Sequence, residues 1–214
     1  SFKIRGALVA VDRLKFSKPQ LTRVFTATRG NYGQGIAFAA RCNSLTSTVV
    51  VPIGNNREKN TAMRALGAQL IEYGKDFDEA RAHAIQLSDS ERAHLMPSFS
   101  RELVLGVASY GIELFSTVSD IDAVYVPIGL GSGICGVMAA RDALSPTTAV
   151  IGVVASALPT YQRSFDAGEV RLTEPAQTIA DGLAVRVPDE DALALILNGV
   201  DRVVAVSEAE LRAA

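Results

Sequence analysis

Two glycine-bearing loops and one lysine hold the residue types that could do chemistry in this chain. The first loop is Pro127-Ile128-Gly129-Leu130-Gly131-Ser132-Gly133-Ile134-Cys135-Gly136. It follows an apolar run and opens a helical one. Glycines let the backbone turn sharply and bring several N–H groups onto one anion, and the helix start adds partial positive charge. A phosphate is the natural guest, with Ser132 as a further hydroxyl donor. The third glycine of a dinucleotide pattern would fall at Ile134, and the Lys-Ser/Thr pair of a nucleotide loop is missing. The same glycines would also suit a turn that serves only close packing. Local sequence leaves both readings open.

The second loop is Thr26-Ala27-Thr28-Arg29-Gly30-Asn31-Tyr32-Gly33-Gln34-Gly35, again between a strand-like and a helix-like run. A hydroxyl, glycines and an amide at a helix start can hold a carboxylate on main-chain N–H groups. Asn31 either hydrogen-bonds a ligand oxygen or caps the helix. The third piece is Lys3, just ahead of an apolar run of Ile4, Ala7, Leu8, Val9 and Val11. Most lysines are solvated surface charges. A cation at a helix start, however, opposes the helix dipole. That position suits a neutral amine, and a buried lysine that loses its proton becomes a nucleophile.

The elements that must position these groups alternate. The patterning predicts strands at Arg23–Ala27, Thr48–Ile53, Gln69–Tyr73, His94–Pro97, Ala123–Ile128, Ala149–Ala155 and Arg202–Val206. Between them it predicts helices at Asn31–Cys42, Arg57–Leu66, Phe77–Leu87 capped by Asp76, Arg101–Val118, Gly133–Leu144 and Glu190–Leu197, with another helix beginning after Ser207. Continuous apolar strands alternating with helices imply an α/β fold with parallel sheets covered on both faces. Ligands of such sheets bind beyond the carboxyl ends of strands, where both loops fall.

Composition excludes several classes. The 214 residues are 48% hydrophobic with net charge −2, which suits a packed core and no basic stripe for nucleic acid. No apolar run approaches the roughly 20 residues of a membrane helix. Cys42 and Cys135 lie in no metal-ligand spacing and are expected as small buried residues within apolar helices. With no signal peptide visible, the expected location is the cytoplasm. The chain opens at Ser1 within what looks like a loop-to-helix junction and stops just after a helix begins, so truncation at both ends is expected.

Four segments, in order and spread along the whole chain, resemble the serine/threonine dehydratase and serine racemase family of fold type II pyridoxal phosphate (PLP) enzymes. Ser1-Phe2-Lys3-Ile4-Arg5-Gly6 looks like its Ser-x-Lys-x-Arg-Gly motif. Thr28-Arg29-Gly30-Asn31-Tyr32-Gly33-Gln34 resembles its asparagine loop, Gly129 to Gly133 its phosphate loop, and Thr178-Ile179-Ala180-Asp181-Gly182 a further segment.

The resemblance implies two lobes, each a parallel-rich sheet with helices on both faces: residues 23–106 as the smaller, residues 1–22 with 107–214 as the larger PLP-binding one. It implies that Lys3 holds PLP covalently and takes the substrate's Cα proton, that Phe2 lies beside the ring, and that Asn31 bonds the phenolic oxygen. Gly129, Gly131, Ser132 and Gly133 would hold the phosphate, and Gly182 would approach through its main chain. Thr28, Arg29, Gly30 and Tyr32 would form the substrate side. The implied reaction is β-elimination from a small β-hydroxy amino acid such as threonine or serine, giving a 2-oxo acid and ammonia, in a dimer or tetramer.

Three departures shape these expectations. Arg29 stands where racemases of the family place a serine, which weighs against racemisation; an anionic substrate or a plain surface salt bridge would each account for it. Tyr32 replaces the usual loop histidine. The stretch Val154–Thr160 lacks the acidic residues with which some relatives hold a divalent cation, so no metal is expected there. The alternatives are a β-replacement synthase or racemase of the same fold, or a binding module without catalysis.

Overall fold

The computed structural model describes residues 1–214 as two compact units, Ser1–Gly106 and Val107–Ala214. The first unit opens with α1 (Lys3–Ser17), followed by β1 (Arg23–Ala27), α2 (Asn31–Cys42), β2 (Thr46–Val51), α3 (Arg57–Ala65), β3 (Gln69–Glu72), α4 (Phe77–Ser90) and β4 (His94–Leu95). Its sheet runs in the order β3-β2-β1-β4, and every pairing is parallel. The unit boundary falls within α5 (Arg101–Thr117).

Side-chain alternation along β2 shows why its sequence is continuously apolar. Val49 and Val51 pack with Ala37 of α2 and Met63 of α3. Val50, pointing the other way, packs with Ala27 of β1 and with Ala80 and Ala84 of α4. Both faces are therefore covered, as expected of a parallel sheet. Sequence patterning puts β2 two residues late. Pro52 has no N–H for the ladder, the chain turns at Gly54 with φ +78°, and Ile53 is left exposed.

Helix α1 packs on α2 through Ala7, Ala10 and Val11 against Ile36, Ala39 and Ala40. Helix α1 lies within the unit Ser1–Gly106. It comes close to α2 at Gly35, where an added Cβ would lie 3.1 Å from the Lys3 carbonyl oxygen and 3.2 Å from the Ala7 Cβ. A Gly35→Val protein should lose about 1–3 kcal/mol of stability through overpacking. It should also lose activity out of proportion to that, because the displaced turn carries Lys3. Thermal melts paired with turnover test this; an unchanged melting temperature would mean that the helices do not meet there.

The second unit contains β5 (Ala123–Pro127), α6 (Ser132–Leu144), β6 (Ala149–Ala155), α7 (Thr160–Ala167), the short 3-10 turn Asp181–Leu183, α8 (Glu190–Gly199), β7 (Arg202–Val206) and α9 (Glu208–Ala213). Its parallel sheet has the order β5-β6-β7. Helix α6 is buried over most of its length. At its end the buried Arg141 donates to the carbonyls of Thr148 (2.9 Å) and Gly199 (2.7 Å), tying the α6–β6 turn to the end of α8. Helix α7 escapes sequence reading because its buried face is polar. Thr160, Tyr161 and Ser164 are buried there, and the Ser164 hydroxyl donates to the Thr160 carbonyl at 2.8 Å.

The cysteines divide. Cys135 is buried in α6 as expected, and its thiol is pushed up to about 12, first of all by burial. Cys42 is exposed, contrary to the expectation, because it ends α2 on the side away from the core. No helix is long and apolar enough to cross a membrane.

Candidate active site

The first unit assembles the lysine and the asparagine loop. Asn31 is the first residue of α2, and Gly30, not Asn31, occupies the cap position. Asn31 Oδ1 instead accepts from Gln34 Nε2 at 3.3 Å, so the capping role is not the one this side chain plays. Asn31 lies one turn before Gly35 on the same face of α2, and Gly35 is the residue that lets the Lys3 turn approach. The small residues of α2 therefore let the main chain at Lys3 pack against the helix one turn from Asn31.

Lys3 starts α1 with no acidic residue in its first turn. Its ammonium lies 5.0 Å from the Phe2 ring centroid. Burial lowers its pKa from 10.5 to about 8. At pH 7 that leaves about one amine in ten neutral, some 300-fold more than for an ordinary lysine. Covalent capture of PLP by the apoprotein should then speed up with pH and level off near about 8. Stopped-flow absorbance checks this. A rate still climbing beyond pH 9, as a solvated lysine would give, would contradict it.

The loop ahead of α2 is held by its own side chains. Thr28 N–H donates to the Val50 carbonyl at 3.1 Å, and Thr28 Oγ1 accepts from the Gly30 N–H at 3.0 Å. The Gly30 N–H is thus engaged within the loop. The N–H groups of Asn31 and Tyr32 lie in the first turn, ahead of the helix's own ladder. The Tyr32 hydroxyl donates to the Pro97 carbonyl, and its ring packs on the α1–α2 core. Burial drives the Tyr32 pKa upward, so this phenol stays protonated. Tyr32 therefore offers its main chain, while its side chain is structural. One neighbour carried no signal in the sequence: Lys59 on the polar helix α3, whose Cδ would lie 3.3 Å from a Cβ on Gly30.

The second unit builds the glycine loop at the carboxyl end of β5. Gly131 adopts φ +100° and caps α6 without any side chain. Ser132 and Gly133 follow as buried residues of the first helical turn, where N–H groups precede the ladder. The segment carrying Gly182 lies against this loop: a Cβ on Gly129 would come within 2.7 Å of the Gly182 carbonyl oxygen. So Gly182, about 50 residues further along the chain, meets the Gly129–Gly133 loop at the start of α6. The bare main chain there is the kind of cradle a phosphate takes.

The model of the pyridoxal-phosphate dependent enzyme family matches residues 1–214. The chain belongs to that family. A threonine dehydratase of Nicotiana attenuata is 35% identical over the whole of this chain and 36% of its own length. An L-threonine ammonia-lyase of Thermotoga maritima is 34% identical over 99% of this chain and 53% of its own. Among solved structures, the processed threonine deaminase isoform 2 of Solanum lycopersicum superposes with TM-score 0.88 at 33% identity, covering 97% of this chain and 60% of that one. Maize serine racemase gives TM-score 0.92 at 25% identity over 100% and 65%. This chain spans about a third to a half of the two curated relatives' lengths. The fold is that of the fold type II PLP enzymes, and the family's cofactor is PLP. Two features present have the chemistry it needs: Lys3, an amine whose pKa burial lowers to about 8, and the glycine-rich main chain at the start of α6.

Proposed function

We propose that the protein is a PLP-dependent ammonia-lyase that eliminates the β-hydroxyl of a small β-hydroxy amino acid, releasing a 2-oxo acid and ammonia. The observation that carries this reading is Lys3, an amine whose pKa burial lowers to about 8, at the start of a helix whose first turn packs close against α2. The similarity of the whole chain to threonine dehydratases and ammonia-lyases supports it.

Lys3 would hold the cofactor and would also serve as the base that takes the substrate's Cα proton. A base works best when its pKa lies near the working pH, and burial supplies that condition here. PLP, when bound, supplies a sink for the electrons released at Cα. Phe2 would lie beside the cofactor's ring, and Asn31 would hydrogen-bond its phenolic oxygen. Thr28 and the main chain between Gly30 and Tyr32 receive the substrate's carboxylate, chiefly on the Asn31 and Tyr32 N–H groups. Gly129, Gly131, Ser132 and Gly133 hold the phosphate, and Gly182 closes the cradle from its main chain. Arg29, where racemases of the family place a serine, argues for elimination over racemisation. Assembly as a dimer or tetramer in the cytoplasm belongs to the same proposal.

The test is an assay of the full-length, PLP-loaded protein against a panel of β-hydroxy amino acids. Release of 2-oxo acid with stoichiometric ammonia is the expected result. A protein that binds PLP on lysine yet deaminates none of them would overturn the reading.

A further inference from the structure

Arg29 is the residue of the asparagine loop that the reaction does not use. It sits between β1 and α2 and is partly buried. Unlike its neighbours, it makes no hydrogen bond, ion pair or ring contact with any other group of the chain. Thr28 Oγ1 is taken by Gly30, Asn31 Oδ1 by Gln34, and the Tyr32 hydroxyl by Pro97. A guanidinium carries five donors in a rigid fork that matches a carboxylate bidentately. Held partly out of water without a partner in the chain, it is available to an anion.

The surroundings accentuate the charge. Helix α2 has no acidic residue in its first turn. The Nζ of Lys59 would be 3.4 Å from a Cβ on Gly30, adding a second cation beside the loop, although Lys59 has interactions of its own. Serine and threonine carry a single carboxylate, which the first-turn N–H groups can accept. The guanidinium is then surplus to either of them.

We propose that Arg29 determines specificity by binding a second carboxylate, making the preferred substrate a β-hydroxy amino dicarboxylic acid of the 3-hydroxyaspartate type. This rests on the ammonia-lyase reading and names its substrate class. The net conversion balances: 3-hydroxyaspartate gives oxaloacetate and ammonia, the water lost at the β-carbon being returned on hydrolysis. A charge-assisted bidentate pair to the β-carboxylate would fix the substrate and exclude uncharged competitors.

The experiment compares kcat/KM for 3-hydroxyaspartate, serine, threonine and O-phosphoserine, using full-length PLP-loaded wild-type protein and the R29A, R29K and R163A variants. Wild type should prefer 3-hydroxyaspartate over serine by at least about 10-fold. R29A should cut that ratio by at least about 30-fold, mostly through KM, as loss of one partner of a desolvated charge pair does. R29K should fall between, since an ammonium keeps the charge without the fork. R163A, a charge change on exposed α7, should keep the ratio. An R29A ratio equal to wild type, or a preference for O-phosphoserine, would overturn the assignment.

Binding of L-aspartate and L-alanine, which lack the β-hydroxyl, is read separately from the visible band of the bound cofactor. Tighter aspartate binding that is lost in R29A supports the specificity even if no substrate is deaminated, in which case the ammonia-lyase reading alone fails. Equal binding of the two would overturn the specificity whatever the turnover.

Discussion

Replacing Lys3 with alanine is expected to abolish both the visible absorbance of the lysine-linked cofactor and 2-oxo acid release. In the proposed reaction one amine performs two tasks, and the substitution removes both. Loss of a positioned base alone costs about 10²–10⁴-fold in rate, and loss of the covalent anchor adds to it. Lys3 is the first residue of α1 and only partly buried, so the fold should survive. Circular dichroism of the variant should match wild type. Adding a small primary amine to the assay should restore part of the activity if the missing group is a base. Near-wild-type turnover by the variant would remove Lys3 from the mechanism.

The second large effect is expected at Gly129. A methyl there would stand 2.7 Å from the Gly182 carbonyl oxygen, closer than a real Cβ tolerates against backbone. Either the loop or the 3-10 turn at Asp181–Leu183 must move, and both belong to the proposed phosphate cradle. Gly129→Ala should weaken PLP binding by at least about 10-fold, since a displacement of about 1 Å in a positioning group costs up to 10²-fold. Stability should fall by about 1–3 kcal/mol from the overpacking. Cofactor titration of the apoprotein, monitored by absorbance, separates the two effects. Unchanged affinity would mean that Gly129 serves packing only.

The elements themselves were legible because each carried a local signal. The apolar run of β2, the cap at Asp76 and the small residues of α2 all predict what is found, with Asp76 accepting from the Glu79 N–H at 3.0 Å. Helix α7 was not legible, because it buries hydroxyls in place of an apolar stripe. Cys42 misled because composition reports the habit of a residue type and not the side of the helix it lands on.

The site shows the same division. The glycine loop and the asparagine loop could be seen as strand-to-helix turns from their residues alone. The approach of Gly182 to Gly129 could not, because it depends on the path of residues 156–181 between the sheet and the 3-10 turn. The commitment of the Gly30 N–H to Thr28 and the presence of Lys59 beside Gly30 likewise depend on tertiary packing that leaves no trace in spacing.

The central claim is that Lys3, and no other lysine, bears the cofactor. Its strongest competitor for proximity to the asparagine loop is Lys59. Borohydride reduction of the PLP-loaded full-length protein fixes the cofactor to its lysine, and peptide mass spectrometry then reads the position. The account predicts the phosphopyridoxyl group on Lys3, at near-stoichiometric yield. Its appearance on Lys59, or on any lysine other than Lys3, would contradict it.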